Sequence, residues 1–208
     1  MIVYTQIPAL PDKSDKFKNF WLDTHFGTKP SANDVDNAWA FMFVRRVDAA
    51  MTEYSLGAEQ VDACWNNHAG MGILENNRAV CHFETCINNT HAARSCFERL
   101  RGSNTVPAKP HAALAALSPT FLLYTQTNDP LRLVRNGIQH GDEWVLEGKI
   151  DMTQNHTLRA DGIEQPHPGD VGQTIKNIDR LLLGNHTILF ADLAMWLIEM
   201  ADAVDVIR

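Results

Sequence analysis

The chain has 208 residues, a formal net charge of −7, 45% apolar residues and 21% charged residues. This length fits one domain of ordinary size, or one domain with a small extension, and the composition excludes a disordered chain. Proteins that coat nucleic acid are usually basic overall, so any nucleic-acid site here has to be a local patch on an acidic protein.

The cysteines and the N-terminus favour a soluble, cytoplasmic protein with no membrane partner. The four cysteines include no CxxC pair, so they predict neither a disulfide framework nor a zinc site; they are Cys64, Cys81, Cys86 and Cys96. The first residues lack the basic n-region of a signal peptide, and no apolar run approaches the roughly 20 residues that span a bilayer. We expect reduced, mostly buried thiols.

The first half of the chain predicts long helices. Residues 2–7 predict a short strand, and residues 14–26 a short helix. A helix capped by Asn33 is predicted from about residue 34 to 56, with Gly57 interrupting it. The clearest helix is predicted from about residue 75 to 101, where small and apolar residues recur at steps of three and four; they are Ala79, Phe83, Cys86, Thr90, Ala93, Phe97 and Leu100.

The second half predicts shorter helices. Ser118 and Asp129 are predicted N-caps, each followed by a proline, and Gly141 is predicted to end the second of these helices. Residues 142–169 predict a small hairpin or irregular loop with a turn at Asp161–Gly162. Residues 170–183 predict a helix, and Asn185 is predicted to cap a last helix. The chain therefore predicts an all-α fold, an antiparallel helical bundle with a small irregular or hairpin insertion.

The helix predicted over residues 130–140 has an unusual polar face. Its apolar side chains Leu131, Val134 and Ile138 fall on one side. The opposite side carries donors and an imidazole within a few residues of each other; these are Arg132, Arg135, Asn136, Gln139 and His140.

This set of side chains suits phosphodiester cleavage without a metal or any other cofactor. The imidazole of His140 titrates near neutral pH, so it can move a proton to or from an RNA 2′-hydroxyl or leaving oxygen. The guanidinium of Arg135 offers a fixed fork to phosphate oxygens. Asn136 can hold the histidine or a phosphate oxygen. One such set is sparse for an active site, whereas two copies facing each other across a two-fold axis would suffice.

The stretch RNGIQH, residues 135–140, resembles the R-N-x-x-x-H form of the Rx4-6H motif of the HEPN superfamily. That family comprises small α-helical domains, commonly dimeric, many of which are metal-independent endoribonucleases in toxin–antitoxin, abortive-infection and CRISPR-linked defence. The resemblance implies a HEPN-like domain over residues 34–208 after an N-terminal extension, residues 1–33. It implies that Arg135 and His140 are the catalytic pair and that Asn136 assists them. The adjacent residues Phe83 and Glu84, on the long helix that precedes the motif, agree with this resemblance.

Other interpretations of these residues remain open. His140 can simply complement the dipole at the C-terminal end of its helix. The stretch from Arg180 to His186 also fits the loose spacing, but it lacks the asparagine and contains a glycine, so we interpret it as a chance match. His82 and His91 are interpreted as structural because no metal-binding carboxylate pattern accompanies them. Arg45 and Arg46 are expected to form ordinary ion pairs rather than a basic groove.

Two functions therefore follow from the sequence. The first is a homodimeric, HEPN-type endoribonuclease of bacterial defence or a toxin–antitoxin system, with Arg135, Asn136 and His140 catalytic and Arg132 and Gln139 binding the RNA substrate. An antitoxin would then be a further partner. The alternative is a non-catalytic HEPN-like module that binds a partner protein, a nucleotide or RNA.

Overall fold

The computed structural model describes residues 1–66, 72–103, 109–124, 128–147 and 157–208, without the side chains of residues 109–112, 142, 144 and 145. The helices are α1 (Ser14–His25), α2 (Asp34–Asn66), α3 (Ile73–Arg101), α4 (Lys109–Ala116), α5 (Pro130–Leu146) and α6 (Phe190–Ile207). A short 3-10 turn covers Thr120–Leu122. The strands are β1 (Ile2–Thr5), β2 (Arg159–Pro166), β3 (Thr174–Leu183) and β4 (His186–Leu189).

The four strands form one mixed sheet, so the predicted all-α fold is wrong. β3 is central and pairs with β2 along its whole length in antiparallel fashion. On the other edge of β3, β1 pairs in parallel with its first half and β4 pairs antiparallel with its second half. The protein is a helix-rich α/β fold in which α5 and α6 pack on this sheet.

The long helices α2 and α3, both of which the sequence predicted, pack against each other and contribute much of the core. Every member of the predicted α3 stripe is buried. Asn33 accepts a hydrogen bond from the backbone N–H of Val35 at 2.8 Å, which confirms it as the N-cap of α2. The core continues onto α6, where the ring of Phe190 packs against those of Tyr54 and Phe83.

The segment predicted as a helix over residues 170–183 is instead the loop before β3 and β3 itself. Asp161 of β2 pairs with Arg180 of β3, but the next residue of β2, Gly162, pairs with Ile178. Asp179 is therefore an extra residue in β3 that has no partner in this register. Asp161–Gly162 is therefore part of a β-bulge rather than a turn. A Cβ at Gly162 would lie 1.4 Å from the carbonyl oxygen of Asn177, so only glycine allows β2 to approach β3 here. Residues 148–156 of the predicted insertion lie outside the described residues.

A tight turn at Gly184 and Asn185 joins β3 to β4. Gly184 has φ +57°, and the pairing of Leu183 with His186 makes this a two-residue hairpin. A positive φ at the first central position is typical of a type II′ turn. Asn185 therefore does not cap a helix, and the last helix begins only at Phe190.

The first 33 residues share the sheet and the core with the rest of the chain. β1 extends the sheet, and α1 buries Phe17 and Phe20. Lys13 and Lys16 bond to Asp202 of α6, at 2.8 and 3.0 Å.

Gly57 does not interrupt α2, which runs through it from Asp34 to Asn66. The glycine lies where α2 touches α3. A Cβ at this position would lie 2.9 Å from the ring of Phe83, a fully buried side chain. We expect Gly57→Ala to destabilise the protein, because displacing the ring costs about 1–3 kcal/mol and the gain in helix propensity is only about 1 kcal/mol. Urea unfolding followed by circular dichroism measures this.

Gly141 of α5 provides the matched control for Gly57. It is also a helical glycine, but a Cβ there meets nothing within 4 Å. Gly141→Ala is therefore expected to stabilise the protein by about 1 kcal/mol. Equal effects of the two substitutions would contradict this packing of α2 on α3.

Candidate functional site

The motif helix α5 is fixed at its start by Asp129. Oδ1 of Asp129 accepts a hydrogen bond from the backbone N–H of Leu131 at 3.1 Å, which confirms the predicted cap. Oδ2 of the same carboxylate pairs with Nη1 of Arg94 on α3, and the two side chains are only 5% and 13% exposed. A buried ion pair therefore ties the beginning of α5 to α3.

The apolar face of α5 holds the helix against α3 and the sheet. Leu131 and Val134 are buried, and Ile138 packs on the core at its edge. The helix continues to Leu146, so the prediction that Gly141 ends it is wrong. Gly141 lacks the positive φ of a helix-ending glycine and adopts helical geometry.

Of the three predicted catalytic side chains, His140 is exposed whereas Arg135 and Asn136 are half-buried, and each has a hydrogen-bond partner on its own helix. Arg135 is half-buried and donates from Nη1 to Oδ1 of Asn136 at 3.2 Å. His140 is 47% exposed, and its Nδ1 lies 2.9 Å from Oε2 of Glu143. Within the described residues, no hydrogen bond joins Arg135 to His140.

The polar face of α5 is convex. Arg135 and His140 are five residues apart, which separates them by about 140° around a regular helix and by about 7.5 Å along its axis. The predicted RNA-binding residues Arg132 and Gln139 are exposed and lie between Arg135 and His140 in angle around the helix, with Arg132 about one turn before Arg135 along the axis. One α5 therefore presents the motif as a surface, and a second surface has to face it to enclose a phosphodiester.

Glu143 was missed by the sequence interpretation because the helix was expected to end before it. The α5 helix continues past Gly141, which places Glu143 one turn after His140. A carboxylate at the Nδ1 of an imidazole fixes the ring and leaves Nε2 as the nitrogen that can exchange a proton with a substrate. This arrangement is a histidine–carboxylate pair within one helix.

His91 of α3 was interpreted as structural, but it lies close to the motif. Its pKa is lowered from the ordinary value first by burial and then by the positive charge of Arg135. Both effects favour the neutral form of the imidazole. Within the described residues no hydrogen bond is made by its ring.

His82 and Glu84, the other candidates on α3, have structural surroundings. Nδ1 of His82 lies 2.7 Å from Oε2 of Glu53 on α2, which joins the two helices. The pKa of Glu84 is raised because burial disfavours its charged form. Among the described residues, no group of three or more His, Cys, Asp or Glu could hold a metal ion.

Arg45 and Arg46 differ in their surroundings on α2. Arg45 is exposed, whereas Arg46 is half-buried and donates from Nη1 to Oδ1 of Asn89 at 2.8 Å. Neither arginine takes part in an ion pair with a described carboxylate, so the ion pairs that the sequence suggested are not formed within the described chain.

Comparison of the chain with models of known families, with curated proteins and with solved structures returns no match. No helix within the described part of the chain is long and apolar enough to cross a membrane.

Proposed function

We propose that the protein is a metal-independent endoribonuclease of HEPN type. One observation carries the proposal: the exposed imidazole of His140 donates a hydrogen bond to Glu143, and Arg135 and Asn136 lie about one turn earlier on the same helix. Arg132 and Gln139 extend the same face and bind the RNA strand on either side of the cleaved bond. The resemblance of RNGIQH to the HEPN motif supports this assignment.

Each side chain has a defined part in the reaction. The Nε2 of His140 takes the proton of the RNA 2′-hydroxyl while Glu143 holds the ring from the other side. The 2′-oxygen attacks the phosphorus, the bond from phosphorus to the 5′-oxygen breaks, and a 2′,3′-cyclic phosphate forms. Arg135 stabilises the negative charge that develops on the non-bridging oxygens. The departing 5′-oxygen receives its proton from a second imidazole.

We propose that a second copy of the chain supplies that imidazole. The convex face of one α5 cannot surround a phosphodiester, because Arg135 and His140 point about 140° apart. Two copies related by a two-fold axis bring one copy's His140 opposite the other copy's Arg135. The active enzyme is then a homodimer, acting in bacterial defence or as the toxin of a toxin–antitoxin pair, with the antitoxin as its partner.

RNA cleavage in EDTA tests the proposal. Purified protein is expected to cut single-stranded RNA in EDTA, to leave 2′,3′-cyclic phosphate ends, and to leave a 2′-deoxy strand of the same sequence intact. The 2′-deoxy strand lacks the attacking hydroxyl, and no metal takes part in the steps above. Cleavage of the DNA strand, or complete inhibition by EDTA, would contradict the proposal.

The alternative is a HEPN-like module that binds a partner protein, a nucleotide or RNA without cleaving it. The observation that favours it is that the motif side chains already have partners within the chain: Arg135 bonds to Asn136, and His140 bonds to Glu143. The net charge of −7 also gives low affinity for bulk RNA. A protein that binds RNA but leaves it uncut at every pH would identify this alternative.

A further inference from the structure

A cavity of about 250 Å³ lies between the beginning of α1 and the adjacent side of α2. Its apolar surface comes from Leu10, Phe17 and Met51, and the last two of these side chains are buried. The cavity is larger than the roughly 150 Å³ that accommodates a benzene molecule, so it has room for a small organic ligand. None of its lining residues belongs to α5, which separates it from the proposed catalytic motif.

The polar residues of α2 that line this cavity are arranged to accept hydrogen bonds. The hydroxyl of Thr52 donates to the backbone carbonyl of Asp48 at 3.0 Å, and the hydroxyl of Ser55 donates to that of Met51 at 3.1 Å. Each hydroxyl proton is therefore engaged, whereas each hydroxyl oxygen keeps a lone pair that can accept. Because the carboxylate of Asp48 also only accepts, this side of the cavity suits a ligand that only donates.

The carboxylate of Asp48 has no cationic partner within the described residues. Lys13, the cation that also lines the cavity, is held by Asp202 of α6 at 2.8 Å. Asp48 is exposed on one side, but partial burial still raises the pKa of its carboxyl, because protein replaces part of the water around it. A cation in the cavity would stabilise the ionised carboxylate that this burial disfavours.

A second carboxylate lines the cavity from the side of α1. Oδ1 of Asp12 accepts a hydrogen bond from the backbone N–H of Ser14 at 2.9 Å, which leaves Oδ2 as a further acceptor. The cavity therefore combines two carboxylates, carried by different elements, with an apolar surface. An aliphatic chain with an ammonium group at each end matches this combination, because the chain covers the apolar surface and each ammonium donates to one carboxylate.

We propose that the cavity between α1 and α2 binds a short aliphatic diamine. One ammonium group lies on Asp48 and the other on Asp12, and the methylene chain packs against Phe17 and Met51. A ligand with a single ammonium group would leave one of the two carboxylates without a cation, and for this reason we assign a free diamine rather than the lysine side chain of another protein. The site is a function beyond RNA cleavage and does not depend on it.

An NMR titration of the full-length protein with putrescine tests the proposal. The methyl signal of Met51, which lines the cavity, is assigned with the variant Met51→Leu. We expect this signal to shift in a saturable way, with a dissociation constant of about 1 mM or tighter, which a ligand of so few heavy atoms can reach. Met42 lies on the same helix outside the cavity and should not respond. A Met51 signal that putrescine leaves unchanged would overturn the proposal.

Three further ligands define the chemistry of the site. Butylamine, which has one ammonium group, is expected to bind about tenfold more weakly than putrescine, because one charge-assisted hydrogen bond is lost. Magnesium ions should leave the signal of Met51 in place, and an equal response to them would reduce the effect to general attraction by an acidic protein. Binding of an acetylated lysine amide as tight as that of putrescine would overturn the assignment to a diamine.

Matched variants locate the two ammonium groups. Asp48→Asn and Asp12→Asn each keep the size of the side chain and one acceptor oxygen, and each is expected to weaken putrescine binding about tenfold. Asp62→Asn, at an exposed position of α2 outside the cavity, removes the same charge and should leave binding unchanged. Melting curves confirm that each variant is folded. Equal losses in all three variants would contradict the site.

Discussion

Replacing His140 by alanine is expected to lower the rate of RNA cleavage by about 10²–10⁴-fold, which is the usual contribution of a positioned general acid or base. The loss should appear in kcat, because the role proposed for His140 is proton transfer rather than binding. Single-turnover cleavage of a labelled RNA, with the protein in excess, measures the chemical step directly. Melting curves should match those of wild type, because an exposed side chain adds little to stability.

Arg135 is expected to give an effect of comparable size for a different reason. Arg135→Ala removes the charge that is proposed to stabilise the transition state, and losing one such donor costs about 10²–10³-fold in kcat. Arg135→Lys keeps the charge but loses the two-pronged geometry, so its activity should lie between those of wild type and Arg135→Ala. The exposed Arg45→Ala is the control for a general loss of positive charge.

Glu143→Gln distinguishes the role of the histidine–carboxylate pair from that of His140 alone. The amide can still accept a hydrogen bond from Nδ1, but it no longer stabilises the imidazolium. The variant should therefore cut RNA more slowly than wild type and faster than His140→Ala. If all of these variants cut RNA at the wild-type rate, the motif is at most a binding surface and the alternative function applies.

The helical hairpin was predictable from the sequence because each of its signals is local. The buried stripe of α3 repeats at steps of three and four, and Asn33 sits directly before the first turn of α2. Burial then follows from packing this stripe against α2. Gly57 was misinterpreted because the pattern contains no information on Phe83, the residue that requires glycine there.

The central strand of the sheet was not predicted because a bulge breaks the alternation of buried and exposed residues in β3. Ile178 and Leu181 are both buried although they are three residues apart. In a regular strand these positions face opposite sides, but the extra residue Asp179 rotates the second half of the strand. The resulting spacing of three between buried residues is also typical of a helix. The glycine at the bulge, Gly162, lies on the neighbouring strand β2 and gives no signal within β3 itself.

The candidate site was predictable only as far as it lies within one short segment. Arg135, Asn136 and His140 are recognisable because they fall within six residues. His91 comes from another helix, and its proximity to Arg135 depends on how α3 packs against α5. Glu143 was missed because glycine is a frequent helix end, whereas Gly141 adopts helical geometry and α5 continues past it to Leu146.

Arg94→Ala is expected to destabilise the protein by about 3–5 kcal/mol, because it leaves the carboxylate of Asp129 buried without its counter-ion. Asp129 is buried, and the backbone N–H of Leu131 alone cannot compensate the charge of its carboxylate. The start of α5 should also loosen, so RNA cleavage is expected to fall although Arg94 takes no part in the chemistry. Urea unfolding at neutral pH measures the free-energy change.

A double-mutant cycle separates the ion pair from the cap. Asp129→Asn retains an oxygen that can cap α5 but removes the charge, so Arg94→Ala combined with Asp129→Asn should recover most of the stability lost in Arg94→Ala alone. The exposed pair of Lys29 and Asp34, at 3.1 Å, is the control, and Lys29→Ala should cost no more than about 1 kcal/mol. A loss as small as this in Arg94→Ala would mean that water reaches Asp129, and that the apolar face of α5, rather than the ion pair, determines where the motif lies.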